Sequence, residues 1–144
     1  MSILGIIPAR YASTRYPAKP LADLGGKSMI RRVYEQAIKS TSLTKVIIAT
    51  DHEEIYNHVI DFEGDVCMTS AHHASGTDRC YEVLSKESSS FDYVINIQGD
   101  EPFIDPRQID LLASLLDGDT ELATLVKRID SVEQLFNPNL VKAV

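Results

Sequence analysis

Arg10, Arg15 and Lys19 fall within ten residues of chain, in the stretch Gly5-Ile6-Ile7-Pro8-Ala9-Arg10-Tyr11-Ala12-Ser13-Thr14-Arg15-Tyr16-Pro17-Ala18-Lys19-Pro20, and no acidic residue precedes Asp23. In a chain of formal net charge −7, such a concentration of cations points to a bound polyanion. Backbone N–H groups in a loop of small residues form an anion-binding concavity, and Arg and Lys add charge-assisted hydrogen bonds to phosphate oxygens. A second stretch, Gln98-Gly99-Asp100-Glu101-Pro102, places a carboxylate beside a glycine directly after the apolar run Tyr93–Ile97. A carboxylate so placed suits Mg²⁺, which takes one or two carboxylates and completes its shell with water and phosphate oxygens. The competing reading of Asp100 is a turn or helix-capping residue, since Asp-x-Pro sequences initiate turns. A third stretch, Ser75-Gly76-Thr77-Asp78-Arg79, offers a small-residue backbone pocket, or simply a helix start with Thr77 as N-cap and Asp78 in the first turn.

Other chemistries lack their residues. No G-x-G-x-x-G follows the first apolar run, which argues against a dinucleotide site. Gly26-Lys27-Ser28 mimics the end of a Walker A loop, but the position of its leading glycine is Leu21, so a turn before a helix is the better reading. There is no G-x-S-x-G nucleophile elbow. His72 and His73 are adjacent, but no further His or Cys follows at zinc-ligand spacing. Cys67 and Cys80 have no neighbouring base and form no CxxC pair, so both read as free core thiols.

The elements that must position these segments follow from apolar periodicity. Residues 2–8, 45–50, 65–68 and 93–97 read as buried strands, and 122–129 as a further one, with another starting at Leu140. Helices are expected over 28–39 with Ser28 as N-cap, from Asp51 or His52 to a stop at Gly64, over 77–86, and from Asp105-Pro106 onward with proline at the first helical position. Residues 131–136 allow about one further helical turn. Strands alternating with helices make a mainly parallel sheet with an α/β, Rossmann-like architecture, helices lying on both faces. Sites in such sheets lie at the carboxyl ends of strands. The loops after Ile7, Met68 and Ile97 should therefore converge on one edge.

The totals fit one domain of 144 residues, 44% hydrophobic and 24% charged, without Trp. A chain of this length buries roughly 68–70% of its unfolded surface, enough for a core without disulfides or structural metal. The acidic balance argues against nucleic acid or an anionic membrane as partner. No apolar run approaches the ~20 residues of a membrane span, and no export signal is visible, so the cytoplasm is the expected compartment.

The stretch IPARYAST-R-x-P-x-K-PL resembles the loop of the sugar nucleotidyltransferases, and among them the 3-deoxy-manno-octulosonate (Kdo) cytidylyltransferases. QGDEP, S-G-T-D-R and Phe136-Asn137-Pro138-Asn139-Leu140-Val141-Lys142 extend the likeness along essentially the whole chain. The resemblance implies a nucleotidyltransferase fold. It implies CTP and Kdo as substrates, Mg²⁺ as cofactor, transfer of CMP with release of pyrophosphate, and a place in lipopolysaccharide synthesis. Arg10, Lys19 and Asp100 match the catalytic positions, the first two on the phosphates and the last on the metal. Ala9, Ser13, Thr14 and Arg15 match the same phosphate cradle. Ser75, Gly76 and Thr77 match the segment that reads base and ribose, and Gln98 matches a position near the acceptor sugar. Arg79 is counted in that pocket, bracing it or pairing with Asp78 rather than touching phosphate, and His73 matches the family histidine. Ala18 stands where the family has a glycine, a residue that permits positive φ.

The rivals within the class are CMP-sialic acid synthetases and guanylyltransferases, against which the N-P-N-x-V-K run counts. A rival of another class is a CTP-binding module without turnover. Members of the family continue beyond the equivalent of Val144 into segments that hold the sugar, supply a second metal carboxylate and form a homodimer interface. Residues 1–144 are thus expected to be the nucleotide-binding portion of one domain, truncated at its C-terminus and inactive alone.

Overall fold

The computed structural model describes residues 1–12 and 16–142. Four parallel strands, β1 (Ile3–Ala9), β2 (Lys45–Thr50), β3 (Val66–Met68) and β4 (Tyr93–Asn96), form one sheet in the order β3-β2-β1-β4. Between and after them lie α1 (Met29–Ala37), α2 (Glu53–Asp61), α3 (Gly76–Lys86), α4 (Pro106–Ala113) and α5 (Val132–Phe136), with a 3-10 turn at Lys19–Leu21.

β1 and β2 are apolar on both faces because both faces are covered. One face of the sheet (Ile3, Ile7, Ala9, Val46, Ile48) shares a core with Ile30, Val33 and Ala37 of α1, Ile55 and Val59 of α2, and Ile109 and Ala113 of α4. The opposite face (Leu4, Ile6, Ile47, Ala49) buries Cys80 and Val83 of α3. Right-handed crossovers account for the division. The chain steps from β1 to β2 to β3 in one direction, then reverses past β1 to reach β4, and the reversal moves the connecting helix to the other face.

The helix ends follow local chemistry. Ser28 accepts from the Arg31 N–H at 3.3 Å, and Asp105 caps α4 ahead of Pro106. The α3 cap is Ser75 rather than Thr77, because Ser75 and Asp78 close a reciprocal capping box. At the end of α2 the left-handed residue is Glu63 (φ 59), one position before Gly64. Glu63 N–H donates to the Ile60 carbonyl and Gly64 N–H to that of Val59, a Schellman pairing. Gly64 is required for space: a Cβ there would lie 2.8 Å from Val59 Cγ1 and 2.6 Å from Phe62 Cε2.

Two expected strands are absent among the described residues. Segment 122–129 forms no ladder. Leu122 and Ala123 run past Val94 and Ile95, at the open side of β4, without pairing. Leu122 is 92% and Val126 70% exposed, so the apolar pattern there has no buried face to register against. Leu140–Lys142 is likewise irregular, and residues 143–144 lie outside the described residues.

Candidate active site

The carboxyl ends of β1 and β4 border a cleft of about 510 Å³, at the point where the strand order reverses. The end of β1 contributes Pro8 and Ala9, and Arg10 directly follows it; the 3-10 turn contributes Lys19 and Pro20; the start of α3 contributes Gly76 and Thr77. Asn96 at the end of β4, with Gln98, Gly99 and Asp100 after it, forms the remaining wall. Seven of the expected residues thus share one cavity: Ala9, Arg10, Lys19, Gly76, Thr77, Gln98 and Asp100. Ser13, Thr14 and Arg15 lie outside the described residues.

The loop after β1 is held by its own backbone. Ala18 N–H donates to the Tyr11 carbonyl at 2.9 Å, and Leu21 N–H to that of Ala18 at 2.8 Å. Ala18 adopts the left-handed conformation, φ 56 and ψ 25, so the alanine takes up the geometry that a glycine would adopt without strain. Pro20 is buried, which anchors the turn. From that anchor Lys19 extends to Asp100, its Nζ lying 2.9 Å from Oδ2. The Tyr11 ring stacks on His52 with centroids 3.7 Å apart, tying the loop to the start of α2. His52 Nδ1 accepts from the Glu54 N–H there.

Asp100 is half exposed and its carboxylate already faces a cation, the Lys19 ammonium. That suits a divalent ion held by one carboxylate and non-protein oxygens; no group of three or more His, Cys, Asp or Glu suited to a metal occurs among the described residues. Lys27 turns away from the cleft to Glu35 at 2.7 Å, and Gly25 and Gly26 both have positive φ, so Gly26-Lys27-Ser28 is a turn.

Two of the expected residues, Ser75 and Arg79, do not line this cleft. Arg79 is fully buried and does not face the cleft. Its guanidinium donates to Thr69 Oγ1 at 2.5 Å and to Asp51 Oδ2 at 2.8 Å, bolting α3 to the carboxyl ends of β2 and β3 rather than pairing with Asp78. Ser75 spends its hydroxyl on the capping box. Behind the Gly76–Thr77 wall, Glu82 accepts from Lys86 (2.5 Å), from His73 and from the Ser70 N–H (2.9 Å), which pin segment 70–73 to α3. Lys86, then His73, then Ser70 hold the Glu82 carboxyl well below its ordinary range, at about 2. Burial pushes the Cys80 thiol up to about 11 and raises Cys67, so neither is a nucleophile.

Sequence reasoning missed Asn96 and Met29 in the cleft wall. Asn96 carried a signal, a polar residue at the carboxyl end of an otherwise apolar strand. Met29 carried none, because its apolar side chain reads as core.

Such a cleft, with cations on one lip and a carboxylate on the other, can grip a metal-bound polyphosphate. Comparison with known proteins agrees with that chemistry. Residues 4–144 match the family described as Cytidylyltransferase. The chain is 52% identical over 144 residues to a 3-deoxy-manno-octulosonate cytidylyltransferase of Cytophaga hutchinsonii, covering all of this chain and 58% of that protein. It is 54% identical over 149 residues to the protein of that name from Parabacteroides distasonis, covering 59% of it. A solved structure of CMP:2-keto-3-deoxy-manno-octonic acid synthetase complexed with CTP superposes with a TM-score of 0.76 at 44% identity, over 79% of this chain and 46% of that one. The chain thus spans well under two thirds of the length of these relatives, and within that span the match runs from Leu4 to Val144. This chain belongs to the cytidylyltransferase family.

Proposed function

We propose that these residues bind Mg²⁺–CTP for transfer of CMP to 3-deoxy-D-manno-octulosonate, releasing pyrophosphate. The observation that carries the reading is the meeting of Arg10, Lys19, Gly76, Thr77, Gln98 and Asp100 in one cleft at the carboxyl ends of β1 and β4. Relatives about half identical along the whole chain bear the name of that reaction, which supports the choice of sugar.

The transfer is an attack by the anomeric hydroxyl of the sugar on the α-phosphorus of CTP, with the P–O bond to pyrophosphate breaking. Positioning and charge neutralisation supply most of the catalysis in such reactions. Arg10 and Lys19 grip the phosphates and stabilise the charge that grows on pyrophosphate. Gly76 and Thr77, at the start of α3, offer backbone N–H groups and a hydroxyl to the nucleoside end. Gln98 lies on the wall where the acceptor would approach. Asp100 would hold Mg²⁺, whose charge draws electron density from the α-phosphoryl oxygens. In the whole protein the reading extends to a homodimer working in the cytoplasm and to supply of CMP-Kdo for lipopolysaccharide.

The reading is tested by pyrophosphate release from CTP, Mg²⁺ and Kdo in a chimera that joins these 144 residues to the C-terminal remainder of the Cytophaga hutchinsonii relative. Release that depends on Kdo and on CTP supports the proposal. In that chimera Arg10→Ala and Lys19→Ala should each slow turnover by about 10²–10³, the usual effect of deleting one stabiliser of developing charge. A folded chimera that binds CTP without turning over would favour a binding module.

A further inference from the structure

Lys19 and Asp100 have opposite partners in the reaction just proposed, phosphate for one and metal for the other, yet the structure pairs them with each other. The Nζ–Oδ2 distance is 2.9 Å, and the side chains are 41% and 54% exposed. Both arms are held at meeting distance by backbone. Lys19 leaves a turn fixed by Ala18 and the buried Pro20, and Asp100 follows Gly99, which sits against the Pro8 carbonyl. The contact is therefore built into the cleft mouth, and its exposure leaves it breakable.

We propose that this ion pair makes the site selective for the preformed metal–nucleotide complex over free nucleotide or free metal. The inference rests on the nucleotide reading above. A bare triphosphate must strip Lys19 from Asp100 and then face an unneutralised carboxylate. A bare divalent ion must displace the ammonium and leave it without a counter-charge, with Arg10 lining the same cleft. The complex brings a cation for Asp100 and an anion for Lys19 together, so both exchange partners and no charge is left unpaired. Lys19 and Asp100 act here as specificity-determining residues through their contact with one another, in addition to their contacts with substrate.

The test is calorimetric CTP binding without metal, in the presence of a chelator, for the wild type, Asp100→Asn, Lys19→Met and the double variant. Breaking the pair from the acidic side should tighten metal-free CTP binding about two- to fivefold, the range of an exposed ion pair. That gain should vanish in the Lys19→Met background, where there is no ammonium to release. With Mg²⁺ the order should reverse, the wild type binding CTP more tightly than Asp100→Asn. Asp100→Ala, also at an exposed position, provides a second variant should the first fail to fold. An equal gain in both backgrounds would mean that Asp100 merely repels phosphate, and no gain in either would mean that the pair offers no resistance; both results overturn the inference. Failure of the folded wild type to bind CTP even with Mg²⁺ would remove the nucleotide reading, and this inference with it.

Discussion

A Cβ added at Gly99 would stand 2.6 Å from the carbonyl oxygen of Pro8. The end of β4 approaches the end of β1 this closely only because Gly99 lacks a side chain, and Asp100 is thereby carried within reach of Lys19 on the loop after β1.

Gly99→Ala should consequently do two things. The obstructing atom is backbone of a central strand and cannot swing aside, so stability should fall by about 1–3 kcal/mol, the usual cost of overpacking. The displaced Asp100 should also weaken CTP binding in Mg²⁺ more than binding without it. Urea unfolding and calorimetry check both, and a variant as stable as the wild type would show that the two strand ends can separate freely.

Ala18 and Glu63 hold positive φ values of 56 and 59. A left-handed L-residue costs roughly 1–2 kcal/mol, and the added freedom of glycine in the unfolded chain takes back about 0.4–1 kcal/mol. Ala18→Gly and Glu63→Gly should each stabilise by up to about 1 kcal/mol, raising the urea midpoint at unchanged slope. A loss of stability at either site would contradict the backbone account.

Buried Arg79 pairs with the largely buried Asp51, their side chains 1% and 14% exposed. Removing one partner strands the other, so Arg79→Met should cost about 3–5 kcal/mol, and combining it with Asp51→Asn should recover part of the loss. Equal stability of the Arg79→Met single variant and its double with Asp51→Asn would mean that the pair is not what holds α3 to the ends of β2 and β3.

Glu82 predicts an acid response. Its carboxyl is held at about 2, below the ordinary 4.5, so the native state favours the ionised form. The stabilisation is complete above about pH 4.5 and is lost as pH falls toward 2, where native Glu82 takes up its proton. Urea midpoints measured between pH 5 and pH 2.5 should therefore drop less for Glu82→Gln than for the wild type. Parallel declines would show that Lys86, His73 and Ser70 do not hold this carboxylate in solution.

The sequence carried the sheet and the main cleft walls because both depend on local signals. Lys45–Thr50 holds the β-branched residues Val46, Ile47, Ile48 and Thr50 in one short run and forms a buried strand, and Asp105-Pro106 is a helix start visible in two residues. What it did not carry depends on partners far away in the chain. Leu122–Ile129 has strand composition, but a strand exists only where another edge pairs with it, and here none does. Arg79 sits in a polar run and reads as a brace of the pocket or a partner of Asp78; only Asp51 and Thr69, from two other loops, show which groups it holds. Gly64 is an apt helix stop, but its local pattern does not reveal that the preceding glutamate bears the left-handed turn.

The central claim is that the cleft between the ends of β1 and β4 is a Mg²⁺–CTP site gripped by Lys19. Calorimetric titration of CTP with Mg²⁺ into the 144-residue chain and into its Lys19→Ala variant tests it most directly. The account predicts saturable binding by the wild type and a loss of about tenfold or more in the variant, as for removal of one charge-assisted hydrogen bond. The urea midpoints should agree closely, since an exposed ion pair contributes at most about 1 kcal/mol to folding. Equal CTP affinity in the two folded proteins, or no binding by the folded wild type, would contradict it.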